Sequence, residues 1–349
     1  MPTDVNSGLA TLSDQLILAT VLLYVFAMIA YALDLGFGRA RKVTAAGEPV
    51  AVGAATAAVT AKAGAVQTLD RPGGAPGTGE DAGSERAGDG TLPGEGARDA
   101  GPAAAAPPAW AARAGTVAVA LSWLGWAANL GAIITRGAAV GRWPWGNMYE
   151  FVVAICFAAM TAFLVMQARQ PVRFLGAFVS VAAALGLGFA VRYLHVQAGP
   201  VVPALNSYWI AIHVTAAICA SGLFIVAGVS GVLFLSRGDG PSRLPGRAEL
   251  EQVAHRAIVI AFPIWTFAVI AGALWADKAW GRYWGWDPKE VWSFIAWIAY
   301  AAYLHARATA GWRGRAAMIV QLVAFGCLLF NLVGVNIFLS GLHSYAQVP

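Results

Sequence analysis

Apolar residues gather in eight stretches long enough to cross a bilayer, at about 15–37, 114–135, 149–168, 174–191, 207–235, 257–277, 290–306 and 316–340. Roughly 20 such residues span the hydrocarbon core, so the pattern predicts an all-α fold, a polytopic integral membrane bundle of about eight transmembrane helices. The first stretch has no basic region before it and carries Arg39, Arg41 and Lys42 after it. It reads as a retained helix rather than a cleaved signal.

Basic residues orient the bundle, because Lys and Arg stay on the cytoplasmic side during insertion. With the N-terminus outside, the inner flanks hold Arg39, Arg41, Lys42, Arg113, Arg169, Arg173, Arg237, Arg243, Arg247, Arg256, Arg307, Arg313 and Arg315. The outer loops hold Arg136, Arg142, Arg192, Lys278, Arg282 and Lys289. Thirteen against six puts both termini on the extracytoplasmic side. Three regions follow: a first helix with its flanks at 1–42, an Ala-, Gly- and Pro-rich stretch at 43–109, and a seven-helix core at 110–349 with an external loop at 278–289. The middle stretch has no hydrophobic period, so it reads as a disordered cytoplasmic insertion that cannot bury enough surface to offset chain entropy.

Composition sharpens this picture. Of 349 residues, 58% are apolar and 12% charged, whereas soluble domains carry about 25% charged residues. A cytosolic enzyme, a secreted disulfide scaffold and a nucleic-acid binder are excluded. The net charge of +5 conceals two populations: 43–109 holds four basic and eight acidic residues, a net −4, which leaves +9 on the membrane part. Arg outnumbers Lys 19 to 4, which points to a GC-rich bacterial genome and so to a bacterial plasma membrane rather than a plastid. Cys156, Cys219 and Cys327 stand singly in apolar runs and form no CxxC pair, so they read as packing residues.

Six of the fourteen tryptophans, Trp275, Trp280, Trp284, Trp286, Trp292 and Trp297, fall within 23 residues. Interfacial belts spread Trp over many helix ends, so a dense cluster needs a local cause. Asp287, Pro288 and Glu290 form a capping box for the seventh helix, which explains the acid but not Trp280, Trp284 and Trp286 or the glycines between them. Flat indoles separated by glycines make a platform for a planar apolar ligand, with Arg282 and Lys289 near an anionic edge. A porphyrin with two propionates has that shape and polarity. Of the five histidines, His213 lies about 9 Å into the fifth helix and His343 follows the eighth on the same side, so both flank the loop and suit bis-histidine ligation of haem iron. His305 lies roughly 22 Å below the outer end of the seventh helix. An ionisable group at that depth is a functional candidate by default, and no second histidine of this chain shares its depth, so a partner must supply one. His195 in an outer loop and His255 near an inner helix end read as surface or packing residues. Glu150 begins the third helix at the outer face, where a carboxylate favours a helix N-terminus and is also a haem-site candidate.

The stretch WGRYWGWDPKE at 280–290, with NMYEF at 147–151, SYWIAIH at 207–213, YLHAR at 303–307 and GLHSY at 341–345, resembles the haem-handling proteins of cytochrome c biogenesis, in particular the ResC-like membrane subunit of system II. The resemblance covers roughly residues 115–345 and departs from the family pattern at 43–109. It implies haem b as a bound substrate. It also implies that His213 and His343 are the external ligands, that His305 is the ligand within the membrane, and that Trp280, Trp284, Trp286 and Asp287 form the signature. The function implied is export and presentation of haem for thioether attachment to the CxxCH segment of apocytochrome c, within a holocytochrome c synthase. A Ccs1/ResB-like membrane subunit and upstream thiol-reducing proteins are the implied partners, besides the lipid bilayer. Two other readings stand beside it: a system I-like protein that delivers haem to a chaperone, and a cofactor-free small-molecule transporter. The second calls for paired charges at mid-membrane, and apart from Asp34 and His305 few residues qualify.

Overall fold

Asn6 opens the first helix, α1 (Ser7–Phe37), by accepting a hydrogen bond from Leu9 N–H in the computed structural model, which describes residues 5–38, 108–205, 207–238 and 242–343. α2 (Ala109–Val140) returns antiparallel to it, with Ser13 Oγ donating to Ala132 O and Tyr24 packed against the bare backbone of Gly125. α3 (Met148–Arg169) is capped by Asn147, whose Oδ1 accepts from Glu150 N–H. α4 (Gly176–Phe189) follows a single 3-10 turn and runs into a π-turn, Ala190–Leu194. α5 (Tyr208–Ser236) and α6 (Arg247–Trp280) form a second antiparallel pair, α6 ending on Gly281 in the left-handed region at φ 71°. The capping box starts α7 (Pro288–Thr309), and α8 (Gly314–Leu329) continues through a π-turn, Phe330–Gly334, into the short α9 (Val335–Phe338).

Each of the eight predicted stretches lies on a helix, and the described residues hold no strand. The protein is an all-α polytopic membrane protein. Seven helices among the described residues are long and apolar enough to cross a membrane. α7 is the exception. Its 22 residues suffice in length, but Tyr, Trp, His305 and Arg307 dilute its apolarity. The stretch 43–109 lies outside the described residues except for Pro108 and Ala109, where α2 begins.

One buried cluster runs through all of α1 to α8. Close approach is needed where α5 crosses α3: a Cβ on Gly222 would lie 2.6 Å from the backbone of Ala158. Contacts between elements sort the helix ends. At one end Asn6 N–H donates to Ala139 O, Asp14 meets Arg136 and His195, Met148 meets Asn336, and Asp287 meets His343. At the other, Arg307 pairs with Glu251, Arg173 with Asp34, and Arg243 lies over the Phe37 ring. The starts of the odd-numbered helices therefore share one end with the tryptophan loop, and Arg173, Arg243 and Arg307, assigned to inner flanks, share the other.

Candidate haem site beneath the tryptophan loop

The loop Gly281–Asp287 is held to the first turn of α7 by two carboxylates. Glu290 Oε2 accepts from Gly285 N–H at 2.8 Å and from Asp287 N–H at 3.1 Å. Asp287 Oδ2 accepts from Lys289 N–H at 3.2 Å and from His343 Nδ1 at 2.7 Å, while its Oδ1 accepts from Leu342 N–H. Asp287 thus caps α7 and also carries the segment that bears His343. The sequence suggests the cap; the link to His343 joins residues 56 apart and has no local signature.

His213 sits in α5 with Nδ1 2.8 Å from Ala268 O of α6. Its ring lies so close to α6 that a Cβ on Gly272 would stand 2.7 Å from it. Both imidazoles border the buried Trp275 indole. The His213 ring is parallel to it within 5° at 6.1 Å, and the His343 ring is 5.7 Å away, with Trp280 edge-on to both Trp275 and His343. A carbonyl and a carboxylate are the two acceptors that usually orient metal-bound histidines. Each places the proton on Nδ1 and the lone pair on Nε2.

His213 and His343 line one cavity with Trp280, Trp284, Trp265 and Phe151, enclosing about 1110 Å³ of space between atoms, part of it open to solvent. Among the described residues no group of three His, Cys, Asp or Glu could cage a bare metal ion. Two imidazoles suffice only for a metal that brings its other donors with it, as porphyrin iron does.

The remaining sequence candidates are dispersed. Lys289 lines the cavity, with Nζ donating to the carbonyls of Asn331 and Leu332 at 2.6 and 3.4 Å. Trp286 is 69% exposed with φ 58°, a strained value for a bulky residue, and stands edge-on to Trp284 on the outer side of the loop. Arg282 is exposed, folded over Gly285. Glu150 lies behind the cavity in a buried network, accepting from Arg136, from Arg142 and from Gly146 N–H. His305 is exposed on α7, 18 residues and therefore about 27 Å along the axis from Asp287. His195 pairs with Asp14 at 3.3 Å and His255 meets Tyr303 at 3.4 Å, each at its helix end; because Tyr303 is two residues from His305, this puts His255 of α6 at nearly the depth of His305, against the expectation that no second histidine of the chain lies there. Sequence reasoning missed Gly272, Trp145, Asn331 and Asn336 as cavity residues. Trp275 was visible only as one more member of the tryptophan cluster.

Burial alone would raise the Asp287 carboxyl, but the hydrogen bonds from His343 and Leu342 outweigh it and hold the group below its ordinary value. A depressed carboxylate contributes stability above its unfolded pKa, about 3.9, and loses it as pH falls through the lower folded value. The stability that the native chain has over Asp287→Asn, followed by tryptophan fluorescence on denaturation, should therefore stay constant from pH 8 to about pH 5 and shrink only below about pH 4; a difference lost already above pH 5 would contradict the contact.

These features define a class: a multi-pass helical membrane protein with a two-histidine apolar cavity under a tryptophan-rich loop. Residues 145–343 match the model of the cytochrome c assembly protein family. The cytochrome c biogenesis protein CcsA of Synechococcus elongatus is 33% identical over 284 residues, 66% of this chain and 86% of the relative. The Synechocystis CcsA is 30% identical over 302 residues, covering 68% and 90%, and that of Chlamydomonas reinhardtii 33% over 224 residues, covering 61% and 64%. The chain belongs to this family, as a cytochrome c biogenesis membrane protein of the CcsA type. Membership implies haem handling, with apocytochrome c and other biogenesis proteins as partners.

Proposed function

We propose that the chain holds haem b as a bound substrate at the outer face of a bacterial plasma membrane and presents it for thioether attachment to the CxxCH segment of apocytochrome c. It does so as one subunit of a holocytochrome c synthase, with a ResB-like subunit as the other. One observation carries the reading: two imidazoles on separate elements, each with Nδ1 committed to an acceptor, border a single apolar cavity beneath the tryptophan loop. His213 and His343 are the iron ligands. Trp280 and Trp284 cover the macrocycle, Trp286 extends that surface at its exposed edge, and Lys289 and Arg282 supply positive charge for the propionates.

Each thioether forms when a cysteine S–H adds across a vinyl group. Sulfur bonds to the carbon next to the ring, the proton ends on the terminal carbon, and no electron is gained or lost overall. The work of the protein is then to fix geometry and to keep the iron in a usable redox state. The cavity's other charged groups, Lys289 and Glu290, both hold backbone, so no general base is assigned. Thiols arrive reduced through separate proteins, since the three cysteines sit on three different helices. Exchange of one imidazole for the histidine of CxxCH would couple delivery to release.

His305, exposed and far from this cavity, serves a second site completed by a histidine of the partner, on the path of haem to the outer face. The test is the absorbance spectrum of the chain co-purified with its partner subunit and supplied with haem. A low-spin spectrum is expected from the native pair, and His305→Ala should lower the haem content several-fold while leaving the spectrum of the remainder unchanged. A colourless native preparation would sink the reading.

A further inference from the structure

Two polar atoms in the cavity wall, Trp145 Nε1 and Asn331 Oδ1, are buried with no hydrogen-bond partner among the described residues. Buried polar groups are normally satisfied, and Asn331 is only 4% exposed. Asn331 sits in the π-turn of α8, a distortion that re-aims side chains and is frequent at functional sites. The carbonyl of this same residue accepts from Lys289 Nζ, so a cation lies directly against the turn. Trp145 belongs to the loop before α3, which Glu150 anchors through Gly146 N–H. The two walls meet where Asn336 Nδ2 lies 3.4 Å from Met148 Sδ. Lys289 and Asn331 are therefore in contact, and Trp145 lines the same cavity.

An indole N–H only donates, and a side-chain amide turned either way offers a donor or an acceptor. Two such groups beside an ammonium match a carboxylate set into an apolar wall. We propose that Trp145 and Asn331 hold a propionate carboxylate of the porphyrin, beside Lys289, and so fix its rotational setting with the vinyl edge turned away from α8. This rests on the haem reading of the cavity. Thioether attachment needs such a setting, because each cysteine of CxxCH must meet its own vinyl group.

The experiment compares iron protoporphyrin IX with its dimethyl ester, each titrated into the chain purified with its partner subunit and followed in the Soret band. The native protein should bind the free acid about tenfold or more tightly than the ester, the size expected for hydrogen bonds to a charged group. Trp145→Phe and Asn331→Leu should each shrink that preference to within about twofold and keep the low-spin spectrum. Equal affinity of the native protein for acid and ester overturns the inference without using any variant, and a preference left at its native size in either variant overturns that residue's share. The same spectra report separately on the haem reading: a native complex that binds neither porphyrin, or binds them without a low-spin spectrum, refutes that reading instead.

Discussion

Replacing His343 by Ala is expected to abolish the low-spin spectrum of haem held by the chain and its partner, and to bring holocytochrome c formation down to background. His213→Ala should do the same, since a six-coordinate iron with two imidazoles cannot survive the loss of either. The two variants differ in rescue. His343 lies on the segment after α9, with its side chain 19% exposed, so millimolar imidazole should re-enter the space and restore both colour and attachment. His213 is set inside α5 against Gly272, and rescue there should be weaker. Asp287 offers a graded version of the same test. Asp287→Ala removes the acceptor that orients the His343 ring and should cost about 10–100-fold in haem retention. Asp287→Asn keeps an N-cap of equal quality and an oxygen for His343, but drops the charge that makes the imidazole more basic. It should therefore retain haem while raising the iron reduction potential. A His343→Ala protein that keeps its low-spin spectrum without added imidazole would remove the assignment, and with it the role given to Asp287.

The positions of the helices were legible in the sequence because a bilayer imposes one strong rule, about 20 apolar residues per crossing. Their ends were not. α1 starts at Ser7 rather than near 15, and α6 at Arg247 rather than near 257. Hydropathy marks the part of a helix that meets lipid, whereas the helix itself continues into polar surroundings until a cap stops it. The α7 cap was legible because its chemistry is local: Asp287, Pro288 and Glu290 are neighbours. The two π-turns were not, since an extra residue in a helical turn is stabilised by distant groups such as the Lys289 ammonium on the Asn331 carbonyl. At the site, the sequence offers candidate residues but not their arrangement. Three indoles at 280, 284 and 286 suggest one platform, but Trp286 takes a positive φ and faces outward, while Trp275, a turn and a half before Trp280 on α6, borders both histidines. Periodicity predicts faces of regular helices; a seven-residue loop between two of them has no period to read.

Glu150 sits in the first turn of α3, as its position in the sequence suggests, and does more there than favour a helix N-terminus. Its two oxygens are taken up by Arg136 at 3.2 Å, Arg142 at 2.9 Å and Gly146 N–H at 2.7 Å, with Arg136 only 3% exposed. Arg136 reaches on to the Val196 carbonyl and towards Asp14, so one acid ties α1, α2, α3 and the loop after α4 together. Removing one member of a buried ion pair strands the other, which costs about 3–5 kcal/mol. Glu150→Ala should accordingly lower the thermal unfolding temperature of the solubilised protein more than any single tryptophan substitution in the loop. Glu150→Gln keeps the volume and an acceptor oxygen and should fall between it and the native chain. The double variant Arg136→Met with Glu150→Leu should recover part of the loss, because two matched apolar groups leave no charge uncompensated. The effect on haem separates support from contact. If Glu150 acts by bracing the loop that carries Trp145 and Asn147, Glu150→Gln will bind haem with the native spectrum at low temperature and release it only as the protein unfolds. Loss of haem from a Glu150→Gln protein that is still folded would instead make the carboxylate part of the haem site itself.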